Sequence, residues 1–168
     1  MLIDSVVMNF VRSIQFPFLI GFSNAISWIF DPVVIILFSL IISLILYFKK
    51  FKKEGIFFAL TILITGLFIK IAKWIFQRAR PISTLIEESG FSFPSGHTTM
   101  ALVFFGLVAY LFVSKKNRFG AMLVAVGLTL LIGFTRIYLQ VHWLTDVVGG
   151  FVLGGIILIL SLIIYRKI

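Results

Sequence analysis

Five long apolar segments follow one another along the chain, and short polar or basic stretches separate them. They cover about 33–48, 55–76, 98–113, 119–139 and 147–165. A helix crosses the ~30 Å hydrocarbon core of a bilayer with about 20 apolar residues, and basic ends or local thinning accommodate shorter helices. The pattern therefore predicts an all-α fold, an integral membrane helix bundle with five clear spans.

Residues 1–30 show a different pattern, in which apolar positions recur at helical spacing beside a polar face that includes Asp4 and Arg12. Pro17 interrupts this pattern, and a second amphipathic stretch follows it. Amphipathic helices of this kind lie in the membrane interface. We predict two such helices in residues 1–30, with a sixth span as the alternative, and a membrane-embedded core over residues 31–168.

The composition agrees with a membrane protein. The 168 residues are 61% hydrophobic and 12% charged, and a water-soluble domain of this length cannot bury that much apolar surface. The net charge of +9 comes largely from short basic clusters between apolar segments, so we expect no nucleic acid as a partner. Because the chain has no cysteine, disulfides, thiolate metal ligands and a cysteine nucleophile are excluded.

The basic clusters predict how the chain is oriented. They are Lys49, Lys50, Lys52 and Lys53, then Lys115, Lys116 and Arg118, and finally Arg166 and Lys167. With five spans all three clusters lie on one side, which is the cytoplasmic side by the positive-inside rule. Segments 77–97 and 140–146 then share the extracytoplasmic face.

Two cations stand near the end of the second apolar segment. Lys73 and Arg80 are seven residues apart, so they share one helical face if this helix continues to Pro81. The alternative for either residue alone is a basic side chain that reaches to the membrane interface, and we expect that role or a contact with a lipid headgroup for Arg78.

The sequence Pro94-Ser95-Gly96-His97 stands directly before the third apolar segment. A loop that opens a helix offers free backbone N–H groups to an anion, and glycine allows close approach. Ser95 can donate its hydroxyl or cap the helix. Turn and cap chemistry alone would also explain this tetrapeptide, but a histidine beside a membrane helix is costly and usually functional.

A third group follows the fourth apolar segment. His142 and Asp146 are four residues apart, as on one helical face, and Arg136 precedes them. A carboxylate at this spacing can fix the histidine tautomer and leave the other ring nitrogen free as nucleophile or base. A structural ion pair and a metal site are the alternatives. We expect no metal, because the other charged residues of the group are cations.

These three motifs resemble the signature of the type 2 phosphatidic acid phosphatase family, which reads K-x6-RP, PSGH and SR-x5-H-x3-D. Here the signature occurs in order from Lys73 to Asp146, and Thr135 takes the place of the usual serine before Arg136. Because threonine keeps the hydroxyl, this departure affects only the detail of phosphate hydrogen bonding.

The resemblance implies a role for each residue of the motifs. His142 would attack phosphorus, Asp146 would orient and charge its imidazole, and His97 would protonate the departing lipid oxygen. The phosphate would be held by Lys73, Arg80, Ser95, Gly96 and Arg136. No cofactor is implied.

The resemblance also implies a membrane lipid phosphate as substrate, at the extracytoplasmic face of a bacterial inner membrane. Phosphatidylglycerophosphate, phosphatidate, a polyprenyl diphosphate such as undecaprenyl diphosphate and the 1-phosphate of lipid A all remain open, and the short loop 82–93 provides no large lid to select among them. A lipid phosphotransferase is the alternative within the family. A non-catalytic lipid transporter is less favoured, because the polar residues gather at one membrane level.

Overall fold

The computed structural model describes residues 2–83 and 85–168, so Met1 of the N-terminal region and Thr84 of the loop 82–93 lie outside the description. The described part contains seven α-helices and no strand, which confirms the all-α prediction. The helices are α1 (Leu2–Ser13), α2 (Pro17–Ile29), α3 (Pro32–Phe48), α4 (Lys52–Phe76), α5 (Gly96–Phe112), α6 (Arg118–Tyr138) and α7 (Leu144–Tyr165).

All five apolar segments are helices, but the count of five spans is not confirmed. Three of the described helices are long and apolar enough to cross a membrane, namely α4, α7 and α6 with the short 3-10 turn before it. Helices α2 and α3 pass the same test only as a pair, and the chain bends by 43° between them. The remaining apolar helix, α5, has 17 residues.

Helix α5 is the centre of the bundle and packs against α3, α4, α6 and α7. Its sequence is apolar on all sides, which is typical of a buried helix. Met100, Val103 and Leu107 of α5 are fully buried and meet Phe58 and Ile62 of α4 in the main apolar core. The bundle therefore surrounds α5 with helices whose outer faces remain apolar.

Large apolar side chains cover the outside of this bundle. Examples on α3, α4 and α7 are Leu37, Leu44, Leu67, Ile159 and Ile163, each about half exposed. A water-soluble protein rarely exposes continuous apolar surface of this kind, whereas lipid chains are a suitable solvent for it. The surface thus agrees with an integral membrane protein.

The helix directions bring the predicted functional segments to one end of the bundle. Helices α4 and α6 end there, and α5 and α7 begin there, so the connections 77–95 and 139–143 are neighbours. At the opposite end, the hydroxyl of Tyr165 contacts Glu54 and Arg166 donates to the hydroxyl of Tyr110. The three basic clusters lie at that opposite end, as the orientation argument requires.

Helix α1 lies across the functional end with an unexpected face turned inward. Asp4, Met8 and Val11 are buried against the bundle, whereas Leu2 and Phe10 are 84% and 62% exposed. The sequence predicted Asp4 on the polar face, and it is buried beside Met8 and Val11, whereas Asn9 and Arg12 of the same predicted face are exposed. An interfacial position for α1 remains a prediction.

Candidate active site

The first motif reaches the site by a different route from the predicted one. Helix α4 ends at Phe76 and Gln77 adopts a left-handed conformation with φ of 43°, so the helix does not continue to Pro81, the condition on which a shared helical face depended. Lys73 and Arg80 nevertheless meet the same loop. Lys73 Nζ donates to the carbonyl oxygen of Phe91 at 2.7 Å, and Arg80 Nε donates to that of Gly90 at 3.1 Å.

The second motif forms the start of α5. Ser95 is the N-cap residue, but its hydroxyl makes no capping bond and instead accepts from the Thr98 hydroxyl at 3.0 Å. The first-turn N–H groups of an α-helix have no partner within the helix, so this buried end can receive an anion. A β-carbon on Gly96 would stand 3.4 Å from Ile69 and 3.6 Å from Pro32, which is ordinary van der Waals contact, so Gly96 lies directly against both residues.

The third motif pairs His142 with Asp146, although not on one helical face as predicted. His142 precedes α7, and Asp146 lies in the first turn of that helix. The Asp146 Oδ2 atom accepts from the backbone N–H of the N-cap residue Trp143 at 2.9 Å and from His142 Nδ1 at 3.3 Å. The capping interaction therefore holds the carboxylate against the imidazole.

The second ring nitrogen of His142 faces the cations. Its Nε2 atom lies 3.2 Å from Arg80 Nη1, and the residue is 1% exposed. The pKa of His142 is lowered to about 4, mainly by burial and also by Arg80 and Arg136, while the bond to Asp146 opposes the shift. At neutral pH the ring is therefore neutral, and a proton on Nδ1 shared with Asp146 leaves Nε2 unprotonated, where its lone pair accepts from Arg80 Nη1.

His97 lies on the other side of the site, against α2. Its Nε2 atom is 3.1 Å from the carbonyl oxygen of Ser27 and 3.7 Å from Asp31 Oδ2. His97 also lines a cavity of about 350 Å³, together with Glu88 and Arg136. The sequence predicted His97 as a site residue but gave no indication that α2 forms this wall.

Arg136 is buried in the last turn of α6, 2% exposed. Its Nη2 atom makes an ion pair with Glu88 Oε2, while its buried Nε has no hydrogen-bond partner within residues 2–83 and 85–168. The neighbouring Thr135 hydroxyl donates to the carbonyl oxygen of Ile132 at 2.7 Å and lies 3.3 Å from the Ser27 hydroxyl. Thr135, the residue that differs from the family signature, thus joins α6 to α2 through its hydroxyl.

Glu88 is a site residue that the sequence reasoning missed. Its carboxylate lies between Arg136 and Arg80, with Oε1 3.3 Å from Arg80 Nη2. Burial raises the pKa of Glu88, but the two arginines, Arg136 first, outweigh burial and hold the pKa below its ordinary value. An ionised carboxylate therefore occupies the space between two predicted phosphate-binding residues. An acidic residue in a loop between cationic motifs was the available signal.

Arg78 was predicted as an interfacial or headgroup-contacting residue, and its position is different. Its two terminal nitrogens bind carboxylates from separate parts of the chain. Nη2 lies 2.7 Å from Asp4 Oδ2, and Nη1 lies 2.5 Å from Asp146 Oδ1. Arg78 therefore connects α1 to the His142–Asp146 pair, a contact that no local sequence pattern indicates.

Several known proteins are similar in sequence to this chain. A phosphatidylglycerophosphatase B of Bacillus subtilis is 35% identical over 115 residues, covering 65% of this chain and 57% of that protein. An undecaprenyl-diphosphatase of Sulfolobus acidocaldarius is 30% identical over 71% of this chain and 59% of its own length. A lipid A 1-phosphatase of Rhizobium etli is 29% identical, covering 67% and 51%. The chain thus spans just over half the length of these curated relatives.

Two solved structures have the same fold. The crystal structure of a transmembrane PAP2 type phosphatidylglycerolphosphate phosphatase from Bacillus subtilis matches with a TM-score of 0.87 and 30% identity, covering 98% of this chain and 85% of that one. Aquifex aeolicus LpxE matches with a TM-score of 0.71 and 27% identity, covering 92% of each chain. The family model described as "PAP2 superfamily" matches residues 54–168, which include all three motifs. This chain belongs to the PAP2 superfamily.

Proposed function

We propose that this protein is a lipid phosphate phosphatase that transfers the phosphoryl group of its substrate first to His142 and then to water. The observation that supports this proposal most strongly is the position of Glu88. Its carboxylate lies between Arg80 and Arg136, while Arg80 also contacts His142 Nε2 at 3.2 Å. An anion held by both arginines is therefore next to a neutral histidine nitrogen.

In the first step the substrate phosphate replaces the Glu88 carboxylate, and the His142 Nε2 lone pair attacks phosphorus. The bond from phosphorus to the lipid oxygen breaks, and His97, protonated at the start of the step, gives a proton to that oxygen and becomes neutral. Lys73, Arg80 and Arg136 neutralise the charge on the phosphoryl oxygens, and the Ser95 hydroxyl and the N–H groups at Gly96 add hydrogen bonds. Asp146 stabilises the positive imidazole as the phosphohistidine forms.

In the second step His97 takes a proton from a water molecule, and the water oxygen attacks the phosphohistidine. The phosphorus–nitrogen bond breaks, inorganic phosphate leaves, and the His142 ring returns to its neutral form. The same side chains stabilise the negative charge of the phosphoryl oxygens in both steps, so the proposed reaction requires no metal ion or other cofactor.

The substrate belongs to the membrane lipids that carry a terminal phosphate. The named relatives act on phosphatidylglycerophosphate, undecaprenyl diphosphate and lipid A, and these classes define the panel for this chain. The basic clusters support a site on the extracytoplasmic side of a bacterial inner membrane.

The proposal is tested by measuring phosphate release from these lipids by the purified protein in detergent with a chelator present. We expect release from at least one lipid and an acid-labile phosphoenzyme that His142→Ala abolishes. A phosphoenzyme that persists in His142→Ala would overturn the mechanism. Loss of activity in chelator that one metal restores would favour a metal site, and phosphate transfer to an added acceptor lipid instead of water would favour a phosphotransferase.

A further inference from the structure

Arg78 joins two buried carboxylates that are 142 positions apart in the chain. Asp4 and Asp146 are both nearly inaccessible, and Arg78 contacts them at 2.7 and 2.5 Å while its own side chain is 26% exposed. The contact with Asp146 uses Oδ1, so Oδ2 stays available for His142 and the Trp143 N–H. Each oxygen of the catalytic carboxylate thus has a separate task.

Asp4 is held in place by more than Arg78. Its Oδ1 atom accepts from the backbone N–H of Thr145 at 3.0 Å, and Oδ2 accepts from the Thr145 hydroxyl at 2.8 Å. The Arg78 Nη1 atom also lies 2.6 Å from that hydroxyl. Burial raises the pKa of Asp4, but the bonds from Thr145 and Arg78 outweigh burial and keep the carboxyl ionised. The order along this network is carboxylate, guanidinium, carboxylate and imidazole.

We propose that Asp4 and Arg78 are positioning residues that determine how strongly Asp146 acts on His142, and that α1 is thereby a part of the catalytic apparatus. This inference rests on the proposed function, because it assumes that His142 is the nucleophile. Neither residue lines the cavity beside His97, Glu88 and Arg136. Arg78 reaches the His142–Asp146 pair through its ion pair with Asp146.

Arg78 and Asp4 should have opposite effects on the protonation of His142. The Arg78 charge draws on the Asp146 carboxylate and weakens the stabilisation that Asp146 gives to a protonated His142. Asp4 neutralises part of the Arg78 charge and so restores that stabilisation. Removing Arg78 should make His142 easier to protonate, and removing the Asp4 charge should make it harder. A purely structural role would not produce opposite signs.

Other charged groups also face the pair, from each element packed around it. They are Lys73 of α4, Arg80 and Glu88 of the connection 77–95, His97 of α5 and Arg136 of α6. The variants below leave all of these groups in place. The ionisation of the substrate phosphate is also common to all variants, so differences between their pH profiles report on the network.

The test compares the pH dependence of kcat/KM for the full-length protein and its variants on one phosphate monoester. The acid limb of this profile is the pH range in which kcat/KM falls as the pH is lowered. We expect the acid limb of Arg78→Gln to move to higher pH and that of Asp4→Asn to lower pH, each by about one unit. Arg78→Lys keeps the positive charge, so its acid limb should stay at the wild-type pH although kcat is reduced. Asp4→Glu keeps the negative charge, so its acid limb should also stay at the wild-type pH.

Two controls separate this electrostatic effect from loosening of α1. Asn9 is exposed on α1, so Asn9→Ala should leave kcat and the pH profile unchanged. Arg12 ties α1 to Gln140 and to the carbonyl oxygen of Ile82 without contacting Asp146. Arg12→Gln should therefore lower thermal stability without moving the acid limb.

The inference would be overturned if the wild-type protein is active and the acid limbs of Arg78→Gln and Asp4→Asn both stay at the wild-type pH, or both move in the same direction. If Arg78→Gln does not fold, the decision rests on Asp4→Asn, which is nearly isosteric, and on Arg78→Lys, which keeps the charge. The acid limb should move to lower pH in the first variant and stay in place in the second. A wild-type protein that releases no phosphate and forms no phosphoenzyme would contradict the proposed function instead, so the two failures are distinguishable.

Discussion

The backbone N–H of Ser95 donates to the carbonyl oxygen of Asp146 at 2.9 Å, which joins the first turns of α5 and α7. The phosphate-binding motif and the histidine–aspartate pair are therefore parts of one backbone unit. Gly150 makes this approach possible, because a β-carbon there would stand 2.8 Å from the Ser95 carbonyl oxygen and 2.9 Å from Thr98 Cβ. Neither contact is with the far end of a flexible side chain, so α5 and α7 would have to separate.

We expect Gly150→Ala to lower both thermal stability and activity, because the added methyl group pushes the two motifs apart. Overpacking of this kind costs about 1–3 kcal/mol. Thermal unfolding in detergent and phosphate release would measure the two effects. Gly155→Ala is the matched control, since no atom lies within 4 Å of its β-carbon position. Equal behaviour of the two variants would contradict the proposed role of the close approach.

Glu88→Gln should increase the affinity for inorganic phosphate and for vanadate. The substitution removes the negative charge that Arg80 and Arg136 now hold, so an incoming anion no longer competes with it. Losing one charge-assisted bond of ~1.5 kcal/mol corresponds to about a tenfold tighter inhibition constant. The exposed neighbour Glu87 provides the control Glu87→Gln, which should leave inhibition unchanged. Weaker vanadate binding by Glu88→Gln would show that the carboxylate helps to hold the ligand.

The pH profile of the wild-type protein should have an unusually low acid limb. Protonated His142 cannot attack phosphorus, and burial lowers its pKa to about 4, so kcat/KM on the free enzyme should fall only as the pH approaches that value. Because the bond to Asp146 raises this pKa, Asp146→Asn should move the limb lower still and reduce kcat. After correction for the ionisation of the substrate phosphate, which is measured separately, a remaining acid limb near pH 6.5, the usual histidine value, would contradict the burial argument.

His97→Ala should affect substrates according to their leaving groups. A lipid alkoxide needs a proton to depart, whereas a nitrophenolate leaves without one. The variant should therefore lose much more activity on a lipid phosphate than on a nitrophenyl phosphate, and His142→Ala should lose both. Equal losses of His97→Ala on the two substrates, in paired steady-state assays, would argue against His97 as the leaving-group acid.

The two ends of the bundle should label from opposite sides of the membrane. The chain has no cysteine, so single cysteines report without background. In intact cells an impermeant thiol reagent should label Glu87→Cys and should reach Lys116→Cys only after the membrane is opened, because the basic clusters favour the cytoplasm. Labelling of both positions in intact cells would reject this orientation.

The sequence predicted the helices and the three motifs because these depend on local patterns. The length of each apolar segment identified the helices. The spacing of His142 and Asp146 predicted that they form a pair, even though His142 precedes α7. The end of α4 was missed because a left-handed glutamine, Gln77, gives no signal comparable to glycine. His142 stands one residue before the N-cap Trp143 and Asp146 is at N3, so a contact across the start of a helix has the same four-residue spacing as a contact on one helical face. Spacing alone could not distinguish the two.

The roles of Arg78 and Glu88 were beyond local reasoning for a different reason. Each is a charged residue in a connection, and such residues are solvated in most proteins. Their partners Asp4 and Arg136 are 74 and 48 positions away, so only the packing of α1 and of the loop over the bundle identifies them. Tertiary contacts therefore decided the electrostatics of the site, while the motifs decided its chemistry.

The ion pairs of Glu88 have a consequence for how such a site would behave among bulk lipids. A bilayer surrounds the protein with phosphodiester headgroups, each of which brings one negative charge, the same as the carboxylate already bound by Arg80 and Arg136. A phosphomonoester carries about −1.5 to −2 at neutral pH. Only the monoester therefore gains electrostatically by the exchange, and the cations stay shielded from the abundant lipids that the enzyme cannot hydrolyse.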